Sequence, residues 1–84
     1  MRPYAVFVHE DVLTLLMRAR GRCALILNFI EQIAADPYLA GDFKDSDDIG
    51  RPLEVKLVGS YAITYWADHA VKEIKIINVE PAGS

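Results

Sequence analysis

The stretch LEVKLVGSYAITY, residues 53–65, decides the fold. Two runs of alternating apolar and polar residues flank a Gly-Ser pair, which is typical of two β-strands joined by a tight turn. A two-residue turn would place Lys56 beside Ile63, whereas a three-residue turn pairs Val55 with Ile63. Only the second register puts the apolar residues together on one face, and a slip of one residue reverses every side chain. The pattern therefore predicts a three-residue turn with Gly59 in a left-handed conformation.

The predicted register divides the sheet into an apolar inner face and a polar outer face. A further strand is predicted at residues 72–79, with Ile74 and Ile76 directed toward the core and Glu73 and Lys75 directed outward. The outer face of the hairpin would then carry Glu54, Lys56, Ala62, Thr64 and Trp66. Such a face could bind a substrate, but alternating Glu and Lys are also usual on a plain exposed sheet.

The first half of the chain predicts one strand followed by two helices. Residues 4–8 are rich in β-branched and aromatic side chains, as short strands are. Apolar residues then recur at helical spacing from Glu10, are interrupted around Gly21, and resume over residues 22–35. The second helix should end before Pro37, because the residue preceding a proline avoids the helical region. Two helices joined this closely form an antiparallel hairpin.

The predicted order of elements is β-α-α-β-β-β. It gives an α+β fold of two layers, in which the helical hairpin packs on a mainly antiparallel four-stranded sheet. The segment from 38 to 52 is predicted to be an acidic loop between the two halves. The chain of 84 residues has no repeat and no low-complexity linker, and two halves would each be too small to bury a core. We therefore expect a single domain over residues 1–84.

The amino-acid composition argues against some classes of function but does not identify the function. The chain has 9 Lys and Arg against 12 Asp and Glu, a net charge of −3, whereas small proteins that rely on phosphate contacts are usually basic. One cysteine and no visible export signal predict a cytoplasmic protein. The longest uncharged run, residues 23–30, falls far short of the roughly 20 residues that span a bilayer, so no membrane association is expected.

The acidic loop invites a calcium-binding interpretation, which its spacing rejects. In an EF-hand loop beginning at Asp45, Ile49 and Lys56 occupy positions that need oxygen ligands. The chain also has only one cysteine and two well separated histidines, which gives no paired-ligand spacing for zinc. The sequence thus predicts no metal site and no cofactor, and His69 is most simply a turn residue.

Four residues are candidates for contact with nucleic acid. Arg18, Arg20 and Arg22 form the densest basic cluster, and a helix break at Gly21 would let them fan out toward phosphates. Solvated side chains at a turn are the commoner arrangement for such a cluster. Trp66 could stack a base, and it could equally pack over the end of the sheet.

The first predicted helix carries more apolar residues than one sheet can bury. Leu13, Leu16 and Met17 extend its apolar stripe beyond a single face. Exposed apolar patches usually mark interfaces, so these three residues are candidates for binding a protein partner. The alternative is that the acidic loop covers the helix on its second side.

The order of elements and the quoted stretch carry a resemblance to a known family. The residues are those of 53–65 with Gly-Arg-Pro before them, and the closing IKIINV at residues 74–79. In these features the chain resembles the RelE/ParE superfamily of toxin–antitoxin toxins over nearly its whole length. The resemblance implies a two-layer fold, an antitoxin partner that wraps on the protein, and a role in plasmid stabilisation. RelE-like members inhibit translation by cleaving mRNA in the ribosome, and ParE-like members inhibit DNA gyrase.

Only some of the functional residues of the RelE-like nucleases have a matching residue in this chain. Lys56 matches one lysine of the basic set, but Glu54 and Ala62 stand where a basic residue and an arginine are usual. Pro81 and Ala82 stand where a further arginine is expected. RNA cleavage without a metal needs cations for the transition state and a group that moves the 2′-OH proton. One lysine flanked by acids supplies neither.

The resulting expectation is a RelE/ParE-like protein that binds a partner, with weak or no ribonuclease activity. The enzyme alternative is an mRNA endonuclease whose rearranged site uses Lys56, Arg51, Lys75 and His69 as catalytic residues. A gyrase inhibitor is a third class. The implied partner is an antitoxin. For the alternatives, the partner is the ribosome with its mRNA, or gyrase. The sequence leaves open whether the protein forms a homodimer.

Overall fold

A computed structural model describes residues 3–19 and 24–82 of the chain. The helices are α1 and α2, and the strands are numbered β1 to β5 along the chain. Their bounds are β1 Ala5–Val8, α1 Glu10–Ala19, α2 Ala24–Ala35, β2 Phe43–Ser46, β3 Pro52–Val58, β4 Tyr61–Asp68 and β5 Glu73–Pro81. The predicted order therefore holds, with one additional strand, β2, inside the predicted acidic loop.

Local chemistry explains where the helices begin and end. Glu10 and Asp11 lie in the first turn of α1, where acidic groups oppose the positive end of the helix dipole. The Asp11 backbone N–H donates to Nδ1 of His9 at 3.1 Å, which satisfies one of the free amides at the helix start. At its C-terminal end, the second helix, α2, ends at Ala35, immediately before Asp36 and Pro37, as predicted.

The sheet has five strands in the order β1-β5-β4-β3-β2. β1 pairs with β5 in parallel, and the other three pairings are antiparallel. The fold is α+β as predicted, but the prediction of four strands is wrong, because Phe43–Ser46 pairs with β3 at the edge of the sheet. All four residues of β2 are exposed, so hydrophobic alternation gave no sign of it.

One face of the sheet, the covered face, packs against both helices. Val12 of α1 and Phe29 of α2 belong to the same buried cluster as sheet residues from β4 and β5. The most deeply buried of these sheet residues are Ile63 and Ile74, each 0% exposed. The Phe29 and Tyr65 rings meet edge to face, with centroids 5.4 Å apart, a favoured aromatic geometry. The core therefore lies between the helices and the middle of the sheet.

The β3–β4 turn differs from the predicted one by one residue. Val58 pairs with Tyr61, so the turn has two residues and Lys56 lies opposite Ile63. Gly59 has a φ of 60°, which confirms the predicted left-handed conformation and fits the first central position of a type II′ turn. The assumption that only one face of this hairpin is apolar was wrong, and it led to the wrong register.

The corrected register changes which side chains share a face. Residues directly opposite one another in a sheet lie on the same face. Glu54 is opposite Tyr65 and Lys56 is opposite Ile63, so both lie on the side of the covered face and not on the outer face as predicted. Glu73 and Lys75 do alternate with the buried Ile74 and Ile76, as predicted.

Candidate functional site

The other side of the sheet, here called the open face, carries apolar side chains that neither helix covers. Leu53 shares this face and is buried, whereas other large apolar side chains of the face are exposed. Strand pairing places Phe7, Lys75 and Trp66 in one row across it, and Phe43, Val55 and Thr64 in another. Three of its large side chains have much of their surface in solvent: Phe7 is 49% exposed, Phe43 is 56% exposed and Leu57 is 43% exposed.

Two cations rest on aromatic rings of the open face. The Arg51 guanidinium carbon lies 4.2 Å from the centre of the Trp66 ring, and Lys75 Nζ lies 4.7 Å from the centre of the Phe7 ring. Trp66 and Lys75 are direct cross-strand partners, so the four side chains form one row from β1 to the start of β3. Cation–π contacts of this kind are worth about 0.5–1 kcal/mol at exposed sites. The row therefore brings two cations and two rings together on the open face.

Carboxylates pair with four of the cations in the sheet region. Lys44 pairs with Glu54, and Lys75 Nζ lies 2.6 Å from a Glu73 oxygen. Two pairs are looser, each with its nearest nitrogen and oxygen 3.5 Å apart: Arg51 with Asp47 and Lys56 with Asp42. These pairs cancel most of the positive charge that a nucleic-acid backbone would need.

Hydrogen bonds hold two of these carboxylates in place. Asp42 accepts the Leu57 backbone N–H at 2.8 Å, and this bond, together with the nearby Lys56, leaves the pKa of Asp42 lowered. Partial burial alone would raise the pKa of Glu54. The hydrogen bonds from Lys44 and from the Gly41 N–H, the latter at 2.8 Å, outweigh it and leave that pKa lowered. Both groups therefore stay ionised at neutral pH.

A cleft of about 310 Å³ opens between the α2–β2 connection and the adjoining ends of β3 and β4. Its floor includes Tyr65, whose hydroxyl donates to the Leu39 carbonyl oxygen at 3.0 Å. Burial, and then the charges of Glu54 and Asp42, raise the pKa of Tyr65 to about 12. Tyr65 is therefore a neutral hydrogen-bond donor near neutral pH, and it has no role there as a base.

An aromatic cluster forms one side of the cleft. The Tyr38 and His69 rings are stacked, with centroids 4.4 Å apart and 5° between their planes. Nδ1 of His69 is hydrogen-bonded to the Tyr4 hydroxyl at 2.9 Å, which ties the β4–β5 turn to the segment before β1. His69 is a turn residue as predicted, and these contacts fix its ring in the cluster.

The four residues predicted as catalytic do not form one site. Arg51 and Lys75 contact rings in the row on the open face, whereas Lys56 lies on the opposite side of the sheet beside Asp42. His69 lies in the aromatic cluster at the end of β4 and lines the same cleft as Arg51, so two of the four residues share a site. A general base and a set of cations focused on one phosphate, which RNA cleavage needs, are thus not assembled by these four side chains.

Only part of the predicted nucleic-acid group can be placed. Arg18 is exposed near the end of α1, and Trp66 is half-buried in the row with Arg51. Arg20 and Arg22 lie outside the described residues, as does Cys23. The basic cluster predicted from the sequence therefore stays a prediction, and Trp66 is stacked by an arginine of its own chain.

The three apolar residues predicted to bind a partner divide between core and solvent. Leu13 is 51% exposed and Met17 is 74% exposed, so both offer apolar surface on α1. Leu16 is partly buried and packs against the core cluster. The alternative that the acidic loop covers the second side of α1 does not hold at Leu13 and Met17, since both side chains are exposed.

Sequence reasoning missed Tyr38 and gave Glu54 the wrong surroundings. Tyr38 follows the predicted helix end at Pro37, and nothing in its neighbours along the chain indicates the His69 ring that stacks on it. Glu54 was assigned to the outer face with the predicted register. The parity of the β3–β4 turn was the one signal in the sequence that could have corrected it.

Comparisons with known proteins add no assignment. No family model, no curated protein and no solved structure matches the chain. Within residues 3–19 and 24–82, neither helix has the length and apolar character needed to cross a membrane. Over the same ranges, no three His, Cys, Asp or Glu side chains are grouped in a way that could hold a metal ion.

Proposed function

We propose that the protein is a RelE/ParE-like member of a toxin–antitoxin module and that it acts by binding a protein partner, with weak or no ribonuclease activity. The observation that carries this proposal is the open face, where Phe7, Phe43 and Leu57 expose large apolar surfaces on a continuous sheet. Exposed apolar patches of this kind usually mark protein interfaces. The resemblance in sequence supports the proposed family, and the exposed sheet supports partner binding as the proposed mode of action.

The charge pairs favour protein binding over RNA cleavage. A phosphate backbone would have to displace Glu73 from Lys75 and Asp42 from Lys56 before either lysine could contact it. Breaking these pairs offsets part of the energy gained from each new phosphate contact. A protein partner can instead cover the rings and leave the pairs intact at the rim, where interfaces are normally polar.

The nuclease alternative has one observation in its favour. Arg51, Trp66 and Lys75 are neighbours on the open face, and alternating rings and cations are what single-stranded nucleic-acid surfaces use. A nuclease built on this row would depend on Arg51 and Lys75. Lys56, the residue that best matches the family pattern, would contribute nothing from the other side of the sheet.

Expression of the chain alone separates the two functions. We expect normal growth and intact mRNA, both for the wild type and for a Lys56→Ala variant. The decisive arm is a variant with Arg51→Ala and Lys75→Ala together. Cleaved mRNA in the wild type that becomes intact in either variant would establish the nuclease, and loss of DNA supercoiling in a gyrase assay would establish the third class.

Partner binding is tested with the product of the gene that neighbours this one. Co-expression should give a complex, and Leu57→Glu should weaken it by about tenfold or more, because a buried charge without a partner is costly. Ile49→Glu is the matched control, since Ile49 is 78% exposed in the turn before β3 and lies outside the strands that form the open face. Equal binding by Leu57→Glu and the wild type would exclude the open face as the interface.

A further inference from the structure

The cleft beside the aromatic cluster has the size of a small-molecule site. Its volume of about 310 Å³ lies at the lower end of the roughly 300–1,000 Å³ that ligand pockets occupy. The α2–β2 connection, the start of β3 and the end of β4 all contribute to its walls. It therefore has room for a molecule of one or two fused rings with a short polar substituent, and not for a nucleic-acid chain.

The walls of the cleft present flat ring surfaces. Tyr38 is 74% exposed, yet its ring is held parallel to His69, which is itself hydrogen-bonded to Tyr4. Trp66 also lines the cleft, with Arg51 over its ring. Rings fixed in this way favour a planar ligand, because aromatic surfaces stack on flat partners and little side-chain freedom is lost.

Arg51 is the cation of the cleft that is held most loosely by its carboxylate. A guanidinium has five N–H donors, and among the described residues its recorded protein partner is Asp47, 3.5 Å from Nη1, so an anion would compete with Asp47 for one side of the group. The nearest carboxylate oxygen is Oδ2 of Asp47 at 3.5 Å, while Oδ1 accepts the backbone N–H groups of Ile49 and Arg51. An anion held edge-on by this guanidinium would gain charge-assisted hydrogen bonds.

The other charges of the cleft cancel locally. Glu54 pairs with Lys44 and accepts the Gly41 N–H, so its carboxylate is already satisfied. Glu54 therefore offers little to a cationic ligand and repels an anion only weakly. Because Glu54 and Lys44 neutralise each other, the guanidinium of Arg51 is the charged group that favours an anionic ligand.

We infer that the cleft binds a small planar heteroaromatic molecule with one anionic group, whose ring lies among Tyr38, His69 and Trp66 and whose anion is held by Arg51. A mononucleotide and an aromatic carboxylate share this chemistry. The inference does not depend on partner binding by the open face, and either can fail alone.

Trp66 is the only tryptophan in the chain, and it lines the cleft, so its fluorescence reports occupancy directly. The probes are adenosine monophosphate, indole-3-acetate, adenosine and inorganic phosphate. We expect saturable quenching by one or both of the first two, with adenosine and phosphate weaker by about tenfold or more. A preference between the two active probes identifies phosphate or carboxylate as the anion. Absence of saturation by both, or equal affinity for adenosine, would overturn the inference.

Two pairs of variants test the assigned roles. Arg51→Gln should weaken the anionic probe by about tenfold and leave adenosine unchanged, whereas Lys72→Gln, an exposed cation outside the cleft, should change neither. Tyr38→Ala should weaken the ring-bearing probes, and Tyr38→Phe, which keeps the ring, should restore them. Because Tyr38 is largely exposed, Tyr38→Ala should leave the fold intact, and circular dichroism checks this. Unchanged binding in both Arg51→Gln and Tyr38→Ala would refute the site.

Discussion

The two faces of the sheet are built from the same kinds of residues and have different surroundings. On the covered face Ile63 and Ile74 are 0% exposed beneath the helices. On the open face Phe43 and Leu57 are 56% and 43% exposed with no described element above them. Apolar alternation therefore reveals strands but does not tell which side of them the protein covers, and a second apolar side points to something outside the fold.

The largest expected effect compares the same kind of truncation on each face. Ile63→Ala should lower the free energy of unfolding by about 2–5 kcal/mol, because it opens a cavity in the core. Leu57→Ala should lower it by about 0.5 kcal/mol, as exposed positions do. Chemical denaturation measures both. Similar losses for the two variants would mean that the open face is already buried in solution, for instance against a second copy.

An intermediate loss of stability is expected at Gly41, which lies in the connection between α2 and β2. A Cβ on Gly41 would lie 2.6 Å from the Val55 backbone oxygen, so Gly41→Ala must push this connection away from β3. We expect a loss of about 1–3 kcal/mol in the free energy of unfolding, as for overpacked sites. Leu57→Ala serves as the reference for an unconstrained position, and a Gly41→Ala variant as stable as that one would show that the connection is not held in place.

The smallest expected effect is on the pH dependence of the free energy of unfolding, and it concerns Glu54 on the covered side of the sheet. The lowered pKa of Glu54 means that its ion pair and hydrogen bond stabilise the fold above the ordinary value of 4.5, and that this contribution is lost as the pH falls through the lower folded value. Glu54→Gln should therefore cost less than about 1 kcal/mol at neutral pH and nothing in strong acid. Glu80→Gln, at an exposed position, is the control. A difference between Glu54→Gln and wild type that persists in acid would contradict the assignment.

The sequence allowed the prediction of most elements because their signals are local. The helical stripe through Phe29 and the strand alternation around Ile74 and Ile76 are confirmed by burial. β2 could not be predicted, since its four exposed residues have no apolar pattern and form a strand only by pairing with β3. The predicted pairing of β3 with β4 was wrong for a related reason. The register that the structure adopts places apolar residues on both faces of the hairpin, whereas the prediction assumed a single apolar face.

The candidate site was harder to predict than the fold because its contacts join distant parts of the chain. Arg51 and Trp66 were both singled out from the sequence, yet one as a catalytic residue and the other as a base-stacking residue. Their contact with each other depends on the pairing of β3 with β4. The stacking of Tyr38 on His69 likewise joins the segment after α2 to the turn after β4. Such contacts have no local signature.

The parallel pairing of β1 with β5 has a consequence for how the protein is made. Translation produces β1 first and β5 last among the described strands, and β5 lies between β1 and β4 in the sheet. Until β5 has left the ribosome, β1 has no neighbour to pair with and Val12 of α1 lacks much of its packing surface. Folding must then close a loop that spans most of the chain, which is slow and leaves apolar strands exposed in the meantime.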